Sequence, residues 1–264
     1  MNISEKMVKI AENMQKVYDA GYNKGKSEGG DTTEAFEQGR QAERDAFWDD
    51  FQDNGNRTAY YYAFINNWTT EIFKPKYPIK AVGDASYMFD SCKIGNQKNP
   101  DFDFVENGVI LDTSGATSLT YMFRNCKGIK RVGTIDCTSI TKDINRTFYW
   151  CKVVTIDKLV VKETLKYDNP FAGASYLENI TIEGIIGNNI SFGDCTKLTK
   201  RSIESIVYAL DITMGRAETT ITLPSIAVNK AFETSEGAND GADSEYFNNI
   251  AASARVANWN IVFV

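Results

Sequence analysis

Apolar side chains return along this chain with a long period. Phenylalanines stand at Phe89, Phe123, Phe148, Phe171 and Phe192, spaced by 34, 25, 23 and 21 residues. The residue three places after each is Cys92, Cys126, Cys151, Ala174 and Cys195. Aliphatic positions follow, as Ile129, Val132 and Ile135, then Val154 and Ile156, then Leu177, Ile180 and Ile182, then Leu198. One such repeat cannot bury its own apolar face, so the pattern predicts repeats that stack and share a continuous core. The L-x-x-I stretch is read as a short inward-facing strand. The Cys or Ala fills a tight corner as a small hydrophobe, which makes the cysteine ladder packing and not chemistry.

The flanks carry other patterns. Ile3, Met7, Ile10, Met14 and Val17 form an a/d stripe over 1–20, with Glu5, Lys6, Lys9, Glu12 and Lys16 on the other faces. That stripe reads either as a short coiled coil that joins copies of the chain or as one amphipathic helix packed on the repeats. Gly21, Gly25, Gly29 and Gly30 break it, which makes 21–31 a hinge. A helical and aromatic cap is expected over 32–80. Asp31-Thr32-Thr33 caps its first helix, Phe36, Phe47 and Phe51 share one face, and Tyr60-Tyr61-Tyr62, Phe64, Trp68 and Phe73 follow. These rings are expected to cover the first repeat, with a platform for a sugar or protein as the alternative.

After the repeats, Thr199 caps a predicted helix with Ile203, Ile206, Val207 and Leu210 on its apolar face. Thr219 to Leu223 reads as a strand, Pro224-Ser225 opens a helix with Ile226 to Phe232, Tyr246 to Val256 reads as another helix, and Trp259 to Val264 as a closing strand. Residues 199–264 are thus expected to form an α/β cap.

The whole pattern predicts an α+β solenoid: a short right-handed leucine-rich-repeat-like coil over 81–198, with N-terminal helices and an α/β C-terminal cap. Met88-Phe89-Asp90-Ser91-Cys92 and Met122 to Ile135 resemble the BspA-like leucine-rich repeats, in the variant M-F-x-x-C-x-x-L-x-x-I common in Gram-positive bacteria and their phages. The resemblance spans about 80–200. It departs from the pattern at Thr147, at Ala174 and at an insertion, Gly95 to Gly108. The stretch from about residue 7 to residue 80, including Ala46 to Thr58 and Lys74 to Ile79, is similar to the leader that precedes such repeats in phage tail and baseplate-region proteins. The resemblance implies a virion-associated component, whose partners are other virion proteins or a protein or glycan of the host cell surface. It supplies no residue roles.

Composition narrows the chemistry. The 264 residues are 42% hydrophobic and carry a net charge of −6, so a core is affordable and no general attraction to nucleic acid is expected. No run approaches the roughly 20 apolar residues of a spanning helix. Met1 to Lys6 lacks a basic-then-apolar secretion signal, so the chain reads as made in, and not exported from, a bacterial cytoplasm, and a place in the virion is what the resemblance implies. There is no histidine, which removes the commonest general base and the Ser-His and Cys-His pairs. Five cysteines without paired spacing argue against a disulfide framework and a zinc site. The carboxylates Asp101, Asp103 and Glu106, and Asp240, Asp243 and Glu245, do not match a calcium loop and read as solvated charge.

No enzyme, cofactor or metal is therefore expected. The candidate contact residues are Tyr149 and Trp150, which stand where other repeats carry Asp90-Ser91 or Arg124-Asn125, together with Tyr121 and Arg124. Large aromatics at a corner otherwise occupied by polar or tiny residues read either as a ligand contact or as a surface covered by another segment or subunit. The expected function is a non-enzymatic, virion-associated repeat protein that presents a surface for contact. The alternatives are a purely structural virion or scaffold protein, a bacterial surface adhesin and, least supported, a cell-wall hydrolase.

Overall fold

A computed structural model describes residues 64, 68–71, 73–75, 77–141, 143–215, 217–232, 249 and 252–264. The expected assembly residues Ile3, Met7, Ile10, Met14 and Val17, the glycine hinge and most of the 32–80 cap lie outside the described residues.

In chain order the elements are β1 (Ile79–Asp84), β2 (Phe102–Asp103), β3 (Leu111–Ser118), β4 (Ile129–Asp136), β5 (Asp143–Asn145), β6 (Thr155–Val161), β7 (Lys166–Asp168), β8 (Asn179–Gly184), β9 (Ile190–Ser191), α1 (Lys200–Tyr208), β10 (Thr219–Leu223), α2 (Ser225–Phe232) and β11 (Trp259–Phe263). Every pairing between these strands is parallel. The sheets run β1-β3, β2-β4-β6-β8, β5-β7 and β9-β10-β11. Register places like on like: Val132 pairs with Ile156 and Ile156 with Ile180, while Leu159 pairs with both Ile135 and Ile182.

This corrects the expected fold class. The protein is mainly parallel β, with 34% strand and 13% helix, and neither a helical N-terminus nor an α+β solenoid is found among the described residues. The physical reason lies in the returns between strands. From β1 to β8 the segments that bring the chain back to the next parallel strand are turns and short strands without a helix. The described part of the 32–80 cap is also not helical. It holds turns, a bridge between Thr69 and Lys93, and the start of β1. Its backbone is spent on the first repeat, with the Phe64 N–H donating to the Met88 carbonyl and the Lys93 N–H to the Trp68 carbonyl. Phe64 and Trp68 are buried there.

A column of phenylalanines fills the core. Phe64, Phe89, Phe123, Phe148, Phe171 and Phe192 stack in sequence, with centroids 5.0, 5.2, 5.3, 5.6 and 4.7 Å apart and rings within 23° of parallel. The spacing is near the separation of hydrogen-bonded strands, so ring stacking and backbone pairing advance together. Around each Phe the backbone N–H groups alternate in destination. Phe89 donates to the Met122 carbonyl of the next repeat, whereas Cys92 donates back to Phe89 within its own turn. Phe123 and Phe148 donate forward in the same way, to Thr147 and Pro170. Pro170 occupies the place of Met88 and Met122, whose N–H groups bond only backward, so its missing donor costs no bond between repeats.

The insertion is structural. Its Phe102 and Phe104 are buried, and β2 is the outermost strand of the four-stranded sheet. The seat is tight: a Cβ on Gly95 would lie 2.2 Å from the Gly128 carbonyl oxygen, and one on Gly128 2.2 Å from that of Ile94. Two backbones meet there at a distance only glycine permits.

At the other end α1 closes β8. Thr199 caps the helix by accepting from the Ser202 N–H. Ser202 Oγ accepts the Ile180 N–H at 3.0 Å and Ser205 Oγ the Ile182 N–H at 2.8 Å, so two serines one turn apart take the edge donors a further strand would have used. Thr219–Leu223, Ser225–Phe232 and Trp259–Phe263 form the elements their patterns predict, and residues 252–256 are helical. No helix among the described residues is long and apolar enough to cross a membrane.

Ser202 is buried and also donates to the Glu178 carbonyl at 2.9 Å. Ser202→Ala is expected to lower unfolding free energy by about 1–3 kcal/mol, because the buried Ile180 N–H loses its acceptor, while the half-buried Glu178 carbonyl keeps the Thr199 N–H. Urea denaturation measures this; a change under about 0.5 kcal/mol would mean that the edge is not closed through this hydroxyl.

Candidate functional site: an aromatic and arginine column

Each repeat turns a corner around its phenylalanine, and the corner has a fixed backbone. The residues two before and two after the Phe are left-handed: Tyr87 and Ser91 (φ 56° and 53°), Tyr121 and Asn125 (55° and 54°), Arg146 and Trp150 (47° and 52°), then Asn169 and Gly173 (48° and 71°). Small or polar residues at the second position therefore answer a backbone demand. They do not simply mark exposure, and Asp90 in the same corner is only 1% exposed.

Trp150 breaks that chemistry. It is a bulky residue in left-handed backbone and is 62% exposed. Its indole lies on Gly173 of the next repeat, where a Cβ would come within 1.9 Å of Trp150 Cδ1. The glycine at 173 thus serves twice, as the left-handed residue of its own corner and as the floor under the indole.

The four predicted contact residues come together on this edge. The Tyr87 and Tyr121 rings stack at 5.1 Å, Tyr121 meets Tyr149 edge-on at 6.2 Å, and Tyr149 stacks on Trp150 at 5.3 Å and 8°. Arginines are threaded between the rings. The Arg124 guanidinium lies 5.1 and 5.0 Å from the Tyr87 and Tyr121 centroids, and Arg146 lies 5.9 and 5.7 Å from those of Tyr121 and Tyr149. Arg124 also grips the buried Asp90 carboxylate with two hydrogen bonds, Nε to Oδ1 at 2.8 Å and Nη2 to Oδ2. Arg146 Nη1 donates to the Tyr121 hydroxyl at 2.6 Å. These bonds raise both arginines above their ordinary pKa, through Asp90 for Arg124 and through Tyr121 for Arg146, so each remains a cation. Arg124 is neutralised in place, whereas Arg146 forms no ion pair among the described residues.

Sequence reading missed Tyr87, Arg146 and Gly173. The signal was present in the column two residues before each Phe, where Tyr87, Tyr121 and Arg146 align.

The other candidates do not assemble. Asp103 is buried and accepts the N–H groups of Val105 and Glu106, and Arg131 lies 3.7 Å from it, so it is a turn cap and an ion-pair partner. Asp101 accepts the Asn96 N–H. Among the described residues no three potential metal ligands cluster, and Asp240, Asp243 and Glu245 lie outside them. A cleft of about 490 Å³ is lined by Glu163, Lys166, Asn188, Asn189, Asp211 and Glu218. Its central polar groups are spent on backbone, with Asn188 donating to the Glu163 and Leu165 carbonyls and Asn189 accepting from the Thr220 N–H.

The arrangement defines a parallel-β stack with one aromatic and cationic edge. No protein-family model, curated protein or solved structure matches the chain.

All five cysteines are free and buried. Burial pushes the Cys137 and Cys151 thiols up to about 12 and raises Cys126 and Cys195 as well. Neutral thiols are therefore favoured by folding. That contribution is complete below the ordinary thiol pKa of 9.0 and is lost as pH rises toward about 12. Unfolding free energy is expected to fall steadily above about pH 9, and Ellman's reagent at pH 8 is expected to label no thiol before denaturation and five after it. Rapid labelling of the native protein would place a thiolate at the surface.

Proposed function

We propose that this protein is a non-enzymatic contact protein, carried on a virion in the tail or baseplate region, that uses the Tyr121–Arg124–Arg146–Tyr149–Trp150 edge to bind a protein or glycan of the host surface. The observation that carries the reading is Trp150. Left-handed backbone at a bulky residue costs on the order of 1–3 kcal/mol, and Asn or Gly, which fill the same place in the neighbouring repeats, would avoid most of that cost. A strained, exposed tryptophan beside stacked tyrosines and an unneutralised arginine has the composition of an interaction hot spot. The rigid stack beneath holds these groups in place before binding, which limits the entropy lost on contact.

The virion setting rests on the resemblance of the M-F-x-x-C repeat and of the segment before it. Copies joined through Ile3, Met7, Ile10, Met14 and Val17 would present several edges at once, so that weak contacts add through effective concentration.

Two experiments test this reading. Trp150→Asn is expected to leave unfolding free energy within about 1 kcal/mol of the parent, since relieved strain offsets lost packing. Particles carrying it should assemble normally and attach to cells at least tenfold less well. Absence of the protein from purified particles, or unchanged attachment, would sink the proposal, and failed assembly would favour a purely structural role. Light scattering of the full chain is expected to give an oligomer, and the double variant Ile10→Lys, Met14→Lys a monomer. A monomeric parent would remove the multivalent element.

A further inference from the structure

A second column runs along the same edge. The residue after the corner cysteine is Lys93, Lys127 and Lys152 in the first three repeats, and the fifth carries Lys197 two places after Cys195. The fourth repeat offers Tyr176 two places after Ala174. The preceding cysteines bring the first of these positions together, with the Cys92 and Cys126 sulfurs 3.5 Å apart and the Lys152 N–H donating to the Cys126 carbonyl. The Lys152 and Lys197 ammoniums lie 5.1 and 4.6 Å from the Tyr176 ring centroid, so the ring bridges the repeat that lacks a lysine. Lys152 Nζ is fixed by the carbonyls of Lys98 at 2.7 Å and Gln97 at 3.3 Å. None of the four lysines forms an ion pair among the described residues. The nearby carboxylate of Asp194 is occupied by the Gly173 N–H.

Like charges on successive members of a stack repel one another, and a chain of net charge −6 has carboxylates enough to interleave them. Here none of the four lysines has a carboxylate within ion-pair distance among the described residues. We infer that the strip of Lys93, Lys127, Lys152, Tyr176 and Lys197 is a binding site for a linear acidic polysaccharide lying along the stack. A straight row with about one ammonium per repeat fits a polymer with spaced carboxylates. It fits nucleic acid poorly. Duplex phosphates follow a helical path that a straight row meets at only a few points, and single-stranded nucleic acid, the remaining linear polyanion, is set apart by the oligothymidylate probe below. The site is distinct from the Trp150 column, and the inference does not depend on the function proposed for that column.

The test is fluorescence polarisation with the full-length protein and three labelled probes of equal length: oligogalacturonate, neutral dextran and oligothymidylate. Oligogalacturonate is expected to bind in about 50 mM salt and to weaken at least tenfold by about 300 mM, as released counterions require. The double variant Lys152→Gln, Lys197→Gln should lose at least tenfold in affinity while remaining folded, as circular dichroism checks. Lys152→Arg, Lys197→Arg should retain binding, and Trp150→Asn should leave it unaltered, which separates this site from the aromatic column. Equal binding of dextran, tighter binding of oligothymidylate, no binding of oligogalacturonate at low salt, or an unaffected Gln variant would each overturn the assignment.

Discussion

The rest of the structure depends on a corner in which two residues, four apart, take left-handed backbone. That bend drives the intervening Phe inward and sends the N–H groups of Phe89, Phe123 and Phe148 forward to the next repeat. Without it the phenylalanines would not share an axis, and rings at separations of 4.7 to 5.6 Å could not form. The left-handed conformation is unfavourable for most residues taken singly. It persists because each corner is held on both sides by hydrogen bonds and on its inner face by the ring stack, so local cost is set against collective packing.

The same bend decides what the outside looks like. Side chains flanking each Phe are displayed in columns whose spacing is that of the stack, and a residue meets the equivalent residue of the adjacent repeat, as Arg124 meets Asp90 and Arg146 meets Tyr121. Rings fall on rings, as with Tyr87 and Tyr121, and arginines fall between them. The surface is thus written once per repeat, and its chemistry is a property of columns and not of single positions.

This explains what could be read from the sequence. The Phe and Cys spacing, the helix after Thr199 and the strand at Thr219–Leu223 were legible because each obeys a local rule: stacking, capping, or a β-branched run. Tyr149 and Trp150 drew notice because two large aromatics interrupted a column of small residues, and the structure brings them together with Tyr121 and Arg124. The fold class was misread because helical patterns at the flanks and the leucine-rich-repeat resemblance suggested an α+β balance, whereas the returns between β1 and β8 are turns and short strands without a helix. The left-handed demand was hidden by the variety of residues that meet it, Tyr, Ser, Asn, Arg, Trp and Gly. The burial of Asp90 was hidden because its partner, Arg124, is 34 residues away.

A parallel ladder has no natural end, since its last strand offers the same row of donors as every strand before it. Ser202 and Ser205 supply that end from a helix, and a helix accepts no further strand in register. The protein therefore fixes its own length by composition: two hydroxyls decide that the four-stranded sheet stops at β8 instead of serving as a template on which a second molecule could continue the count.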